Sequence, residues 1–526
     1  MTGLGRQASE GSQDAVVAFL SSPRTYGGRA PEHVTTHISH IFLTERRAYK
    51  LKRALKLPFV DYRDVQDRRA FCRREVAINR HAAPSLYLGV IPVTCEANGR
   101  LALDGDGQPV DWLVEMRRFD RNMQFDVMLD GGRLTEGILN RTGDRIAALH
   151  MDAAIVRVHN AARDFREILR NLAADIFANV ETGQVRDCQG WASAAMQSCA
   201  RQAFLLDRRG RHGFVRFCHG DLHLSNICLW DGVPTPFDAV EFRDDLARID
   251  VAYDLAFLLA DLELRGHRGK AQLLLSRYLS ATRDYAGLTL IPLFMSARAM
   301  VRALTSAMKG HSTAHHIEWA SEMLASRKRA RLIAIGGLSG TGKTTLAREL
   351  LTLPRTITIS SDVVRKRMFH ELPERVLGEA AYTAAVNCAV YRRLRRDCAR
   401  ALRAGWNVIV DATFTDAGER AAIQRLAKDA AADFSGFWLQ GDEATLSARL
   451  AARPKGPSDA DRPVLKRQIE SGTGPINWHV LNASAPVLDV LSEVQLRLCE
   501  EARGHGVGGA KTRCPRELAD EANQTE

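Results

Sequence analysis

Two stretches of this 526-residue chain gather the residue types that handle phosphate. In the run Arg331 to Leu350, RLIAIGGLSGTGKTTLAREL, the residues Gly337, Gly342, Lys343 and Thr344 complete the pattern GxxxxGK[ST]. A glycine-rich backbone can wrap an anion and turn its amides toward it, a lysine can reach the terminal phosphates, and a hydroxyl can ligate Mg²⁺. The backbone cradle falls to Gly337, Ser339, Gly340, Thr341, Gly342 and Thr345, the charge to Lys343, and the metal contact to Thr344. The second stretch is His219-Gly220-Asp221-Leu-His223-Leu-Ser-Asn226, with the spacing H-x-D-x-x-x-x-N. There an aspartate takes the proton of an attacking hydroxyl and an asparagine holds a metal ion. Asp221 is the candidate base and Asn226 a metal ligand. After the turn at Asp231-Gly232, Asp238 supplies a second metal ligand and Glu241 follows it on a strand-like segment.

These residues need elements to hold them. The apolar run Leu332 to Ile335 reads as a buried strand and the spacing from Thr344 to Leu351 as a helix, so strand, loop and helix arrive in the required order. Upstream, strand-like runs at His40–Leu43, Ala48–Leu51, Val90–Val93 and Trp112–Met116 surround one helix, Arg68 to His81. Lys50 and Lys52 alternate onto one face of a strand, so either can neutralise phosphate charge, with Glu75 as the helix partner. Helical periodicity then dominates residues 135–181 and 254–327, and a small β-rich lobe followed by a large helical lobe is expected.

The first half resembles the aminoglycoside phosphotransferase-like kinases, on His219-Gly220-Asp221-Leu-His223-Leu-Ser-Asn226 and on Asp250-Val-Ala-Tyr-Asp254-Leu-Ala. The resemblance implies a protein-kinase-like fold with ATP between two lobes. No G-x-G-x-x-G precedes the lysine strand; Thr36, His37 and Ser39 stand where a loop would cover the phosphates. His150 reads as a core histidine.

Beyond the phosphate loop, strand and helix alternate, which implies a parallel sheet. Thr356 to Ser360 delivers Asp362 and Arg365, and Asn407-Val-Ile-Val-Asp411 places an acid at a strand end, where open α/β sheets form their ligand crevice. This half is similar to the P-loop kinases that include zeta toxins and polynucleotide kinases. The resemblance implies that Asp362 faces the acceptor hydroxyl, that Asp411 holds metal or water, and that Arg449 and Arg453 close over the phosphates from a helical lid. The combination looks like a group of bacterial bifunctional proteins, with an α+β protein-kinase-like domain over 15–325, an α/β P-loop domain over 330–500, and a tail over 503–526.

Composition bounds the rest. With 45% apolar and 26% charged residues the chain is ordinary globular protein, and no apolar run approaches the roughly 18 residues that span a bilayer, so a cytoplasmic protein without membrane contact is expected. The ten cysteines lack paired metal-ligand spacing and read as reduced buried thiols. A net charge of +11 invites nucleic acid, but the densest run, Arg392 to Arg400, lies on a helix whose buried stripe is Leu394, Cys398 and Leu402, so its arginines read as a solvated face and nucleic acid is not favoured. The chemistry expected is phosphoryl transfer from ATP and Mg²⁺ to small-molecule hydroxyl acceptors at two sites. A P-loop ATPase switch controlling a kinase-like module and a polynucleotide kinase with an accessory domain stay open as alternatives, as does the oligomeric state.

Overall fold

The computed structural model describes residues 10–57, 60–325, 329–452 and 457–504. By internal packing the chain forms two units: one built up to residue 267 and again over 290–325, the other from 268–289 and the chain beyond 325.

The first unit opens with a six-stranded antiparallel sheet: β1 (Glu32–Thr35), β2 (Ser39–Leu43), β3 (Arg47–Lys52), β4 (Tyr87–Cys95), β5 (Leu101–Leu103) and β6 (Gln108–Arg117), in the order β1-β2-β3-β6-β4-β5. The period of two sorts β3 cleanly. Tyr49 and Leu51 join Val16 and Leu20 of the helix Glu10–Ser21 and Phe42, Val93 and Leu113 on one face. The other face meets the helix Val65–Ala82, whose Cys72 and Val76 pack with Tyr87, Trp112 and Val114. Lys50 lies opposite Val114, on this second face. Below the sheet lies a helical lobe whose central helix, Val251–Leu264, is buried at every position from Val251 to Leu262. A helix buried all round belongs in a core rather than on a surface, and its acids Asp254 and Asp261 are buried with it. The result is the α+β bilobal, protein-kinase-like arrangement expected from the sequence.

The second unit is a five-stranded parallel sheet of β7 (Arg331–Gly337), β8 (Thr356–Ser360), β9 (Asn407–Asp411), β10 (Asp433–Gln440) and β11 (His479–Asn482), ordered β8-β9-β7-β10-β11. Ile335, Asp411 and Ser360 sit in one row of the register, so the C-terminal ends of three neighbouring strands come together. The sequence carried no motif beyond Ser471, yet β11 and the helix Val487–Gly504 complete this sheet and its core through Leu481, Val490 and Val494. The tail expected over 503–526 lies, past Gly504, outside the described residues.

The helix Arg268–Thr282, in a stretch the sequence reading kept within the first domain, packs in the second unit. Its Gln272 accepts from the Thr356 amide at 2.7 Å, and its Ser276 hydroxyl accepts from the Thr358 amide at 3.0 Å. These are the outward backbone donors of β8, an edge strand that would otherwise present them unpaired.

Candidate active sites

In the first unit, β3 and the helix Val65–Ala82 build a buried charge network. Lys50 Nζ donates to Glu75 Oε1 at 2.9 Å and to Asp238 Oδ1 at 2.6 Å. Lys52 Nζ donates to Glu75 Oε2 at 2.6 Å and to Glu241. Glu75 therefore gives one oxygen to each lysine. The two lysines differ in what lies beyond it: the Lys50 partner Asp238 has a side chain 44% exposed, whereas Lys52 and Glu241 are sealed in. Burial pushes the Glu75 carboxyl up, but Lys50 and Lys52 outweigh it and hold it down, at about 2. Burial alone would depress Lys50, yet Asp238, Glu75 and Glu241 raise it well above the ordinary lysine range, so it stays a cation. Thr36, one of the residues standing in for a glycine loop, closes the β1–β2 turn on Ser39, whose side chain is buried.

The loop from His219 to Asn226 is hung from the central helix of the lobe. Asp254 Oδ1 accepts from the Gly220 amide at 2.8 Å, and Oδ2 accepts from the His219 amide at 3.2 Å and meets His150 Nε2 at 3.1 Å. About two turns further along, Asp261 accepts from the Leu224 amide at 3.0 Å. Gly220 adopts φ +82°, and a Cβ there would lie 2.9 Å from the Leu246 carbonyl, so the turn requires glycine. His150, Cys218 and Asp254 bring three buried ligand-type atoms within 4.8 Å of one another, but both Asp254 oxygens already serve the loop. His150 is thus a core histidine, as expected.

Within the loop, Asn226 Nδ2 donates to the Asp221 carbonyl and to Asp221 Oδ2, both at 3.0 Å, and His223 Nε2 stands 3.4 Å from the same Oδ2. Burial raises the Asp221 carboxyl, while the bond and charge of His223 and the charge of His219 lower it further, to about 2. The group is an anion throughout the neutral range. His219 Nε2 pairs with the Phe237 carbonyl at 2.9 Å, which links this loop to the residue before Asp238. Asp238 itself takes φ +62°, a sparsely populated conformation for a non-glycine residue, with its amide on the Tyr87 hydroxyl at 3.1 Å. The Asn226 amide oxygen and the Asp238 carboxylate are hard oxygen donors that fit Mg²⁺.

In the second unit, β7 ends in the phosphate loop and the helix Lys343–Glu349 begins behind it. Lys343 Nζ donates to the Leu338 carbonyl at 2.8 Å, and Thr341 bonds the same carbonyl at 2.9 Å. Gly340, at φ +87°, comes so close to the helix Glu443–Ala452 that a Cβ would lie 2.8 Å from the Leu446 carbonyl. Thr345 is exposed, and the Ser339 amide donates to Gln468 Oε1 at 2.9 Å. Thr344 Oγ1 donates to Asp411 Oδ2 at 2.6 Å, which unites the two expected metal contacts across β7 and β9. Burial pushes the Asp411 carboxyl above the ordinary range against the pull of Lys343 and Thr344. A buried carboxylate paired with an exposed hydroxyl, its charge not fully compensated, fits a divalent cation.

The acceptor-side residues are placed less simply. Asp362 lies in the first turn of the helix Ser361–Met368, which starts directly after Ser360 in the row shared with Asp411. Arg365 is buried; it donates to the Ala381 carbonyl at 2.7 Å and lies over the Tyr382 ring, so its guanidinium shapes the wall rather than standing open. Arg449 is exposed and donates to the Ala483 carbonyl at 2.6 Å, which ties it to the end of β11 instead of the phosphate loop. Arg453 lies outside the described residues. Sequence reasoning missed a latch: Asp459 accepts from Lys366 Nζ at 2.6 Å, the Tyr382 hydroxyl at 2.6 Å and the Leu377 amide at 3.0 Å. It also missed Gln468. Neither belongs to a motif; a lysine one place after Arg365 in an otherwise polar turn was the available signal.

A family model described as an AAA domain, AAA_33, matches residues 332–475, the stretch that holds the phosphate loop, β7 to β10 and the Asp459 latch. Uncharacterised proteins of Mycobacterium tuberculosis and Mycobacterium bovis are 28% identical over 474 residues, covering 86% of this chain and 92% of theirs. Among solved structures, a choline/ethanolamine kinase family protein from Mesorhizobium loti covers 60% of this chain and 93% of its own, with 14% identity and a TM-score of 0.36. A gluconokinase from Sinorhizobium meliloti covers 34% of this chain and all of its own, with 18% identity and a TM-score of 0.25. The family match falls on the second unit, over the phosphate loop and Asp411.

Proposed function

We propose that the chain is an ATP-dependent phosphotransferase with two separate sites, each moving the γ-phosphate to a hydroxyl group. The observation that carries this reading is the Lys50–Glu75 pair bonded onward to Asp238: three residues from β3, a helix and a distant loop converge at one point. A lysine fixed by a helix glutamate and touching the metal aspartate is a phosphate grip, and phosphoryl transfer depends chiefly on such positioning and charge. Lys50 is the residue for that role, because Lys52 is spent on Glu75 and Glu241. Asp221, anionic and oriented by Asn226 and His223, accepts or steers the proton of the attacking hydroxyl.

In the second unit Lys343 and the loop amides hold the phosphates, and Asp362 faces the acceptor. Mg²⁺, held by Asn226 and Asp238 in one site and by Thr344 and Asp411 in the other, offsets the phosphate charge when bound. A further observation bears on regulation. Gln468 occupies a loop amide that a phosphate would use, so nucleotide entry must displace the helix Arg462–Ser471 from that contact, which favours a nucleotide-sensitive lid as part of the same enzyme. The test is γ-labelled ATP incubated with metabolite extract and wild-type, Asp221→Asn or Lys343→Ala protein. Each variant is expected to lose one labelled product and keep the other; label in no fraction, with ATP hydrolysed alone, would favour the switch.

A further inference from the structure

A groove of about 430 Å³ runs along the second unit between the helices Ala384–Arg403 and Ala417–Asp429, separate from both sites above. Arg395, Arg396, Arg403 and Arg425 line it, with Asp429 as its one acidic side chain. The longer helix carries six arginines, at 392, 393, 395, 396, 400 and 403, against a single acid, Asp397. That acid is already shared: Arg283 reaches it at 3.2 Å, and Arg393 and Arg400 each at 3.8 Å. Arg395 is turned onto Glu419. Arg396, Arg403 and Arg425 are exposed and form no hydrogen bond or ion pair with any described residue. Like charges three and four residues apart on one helix repel. Burial first, then Arg283 and Arg396, hold the Arg393 guanidinium below its ordinary value. The buried stripe of Leu394, Cys398 and Leu402 explains why the helix faces the core as it does. It does not explain arginines at both ends of the outward face, nor a fourth arriving from a neighbouring helix.

Guanidinium groups recognise phosphate oxygens through paired N–H donors, and a groove of this size admits a ligand rather than a lone ion. No aromatic side chain lines it, so there is no platform on which a base could stack. We propose that this groove is an anion-binding site, specific for two or more adjacent phosphates and indifferent to the groups they link. Such phosphates can come from a free oligophosphate or from the backbone of a single-stranded nucleic acid.

The experiment keeps Mg²⁺ and the non-hydrolysable analogue AMPPNP saturating, so that the two nucleotide sites are filled. Anisotropy of a fluorescein-labelled oligothymidylate is followed against salt, with inorganic tripolyphosphate as competitor. R396E/R403E/R425E is compared with an equal charge change at the exposed Arg29, Arg157 and Arg375, and circular dichroism checks the fold of both. The groove variant is expected to bind at least about tenfold more weakly and to lose about 2 from the slope of log affinity against log salt, about 0.7 per phosphate contact. The control is expected to match wild type. Competition by tripolyphosphate at low concentration assigns the site to free oligophosphates, and oligonucleotide binding without it assigns the site to a nucleic-acid backbone. Equal weakening in groove and control variants, or no binding of either probe to wild type, overturns the proposal. ATP turnover at the two sites is read in parallel and is expected to be unchanged in the groove variant.

Discussion

The two lysines of β3 differ by one step of the strand's alternation and by everything that follows from it. Lys50→Met removes the contact to Asp238 and is expected to cut turnover at the first site by about 10² or more while the fold survives. Lys52→Met instead leaves Glu241 buried without its cation and takes one of two from Glu75, and breaking a buried pair from one side costs about 3–5 kcal/mol. Thermal unfolding and ATP turnover of both variants separate the roles: a Lys52 variant with a native melting curve would refute the assignment. In the second site, Asp411 is raised by burial, so it takes up a proton at higher pH than an ordinary carboxylate and loses its capacity for metal there. Mg²⁺ affinity at the P-loop site should therefore fall as pH drops from neutral into the acid range, earlier than for an exposed aspartate. Calorimetric titration of Mg²⁺ with ATP across that range checks it, and Asp411→Asn should flatten the dependence. The motif residues themselves were legible in the sequence because phosphate chemistry fixes both their types and their spacing. The choice between Lys50 and Lys52 was not, because it depends on Asp238 and Glu241, nearly two hundred residues away.

At the scale of elements, the strands showed themselves wherever an apolar run ended in a functional residue, as at β7, β8 and β9. Strand β10 is less plain, since Ser435 and Gly436 interrupt its apolar residues; the reason is packing. Gly436 lies opposite Ala334 in β7, and a Cβ on it would fall 2.6 Å from the Trp478 ring. Gly436→Ala is expected to destabilise the second unit by about 1–3 kcal/mol through overpacking, seen as a lower denaturation midpoint with an unchanged slope. The lid is where the sequence misled. Arg449 was expected over the phosphates and is bonded to Ala483, because helical spacing gives a face but not what that face meets. Gln468→Ala tests the contact that was found instead: freeing the Ser339 amide should tighten nucleotide binding several-fold, as a weaker nucleotide affinity would deny.

At the scale of the whole molecule, two motif sets a hundred residues apart pointed to two domains, but the path of the chain between them was not legible. Residues 268–289 read as one more helix of a helical lobe, and their partners in the second unit, the amides of the edge strand β8 among them, reveal where they belong. Gln272→Leu should leave the Thr356 amide and the Leu353 carbonyl without partners and cost about 1–3 kcal/mol, read as a lower melting temperature of the second unit.

That covering helix also has a timetable. On the ribosome it emerges with Leu274, Leu275, Tyr278 and Leu279, all buried in the finished protein, long before β8 exists. Thr356 follows Gln272 by 84 residues, and at roughly 5–20 residues per second the wait lasts roughly 4 to 17 s. Throughout it the nascent chain carries an apolar helix with no sheet to rest on while the helices after it close the first unit. Slow synthesis over residues 290–356 would lengthen that exposure.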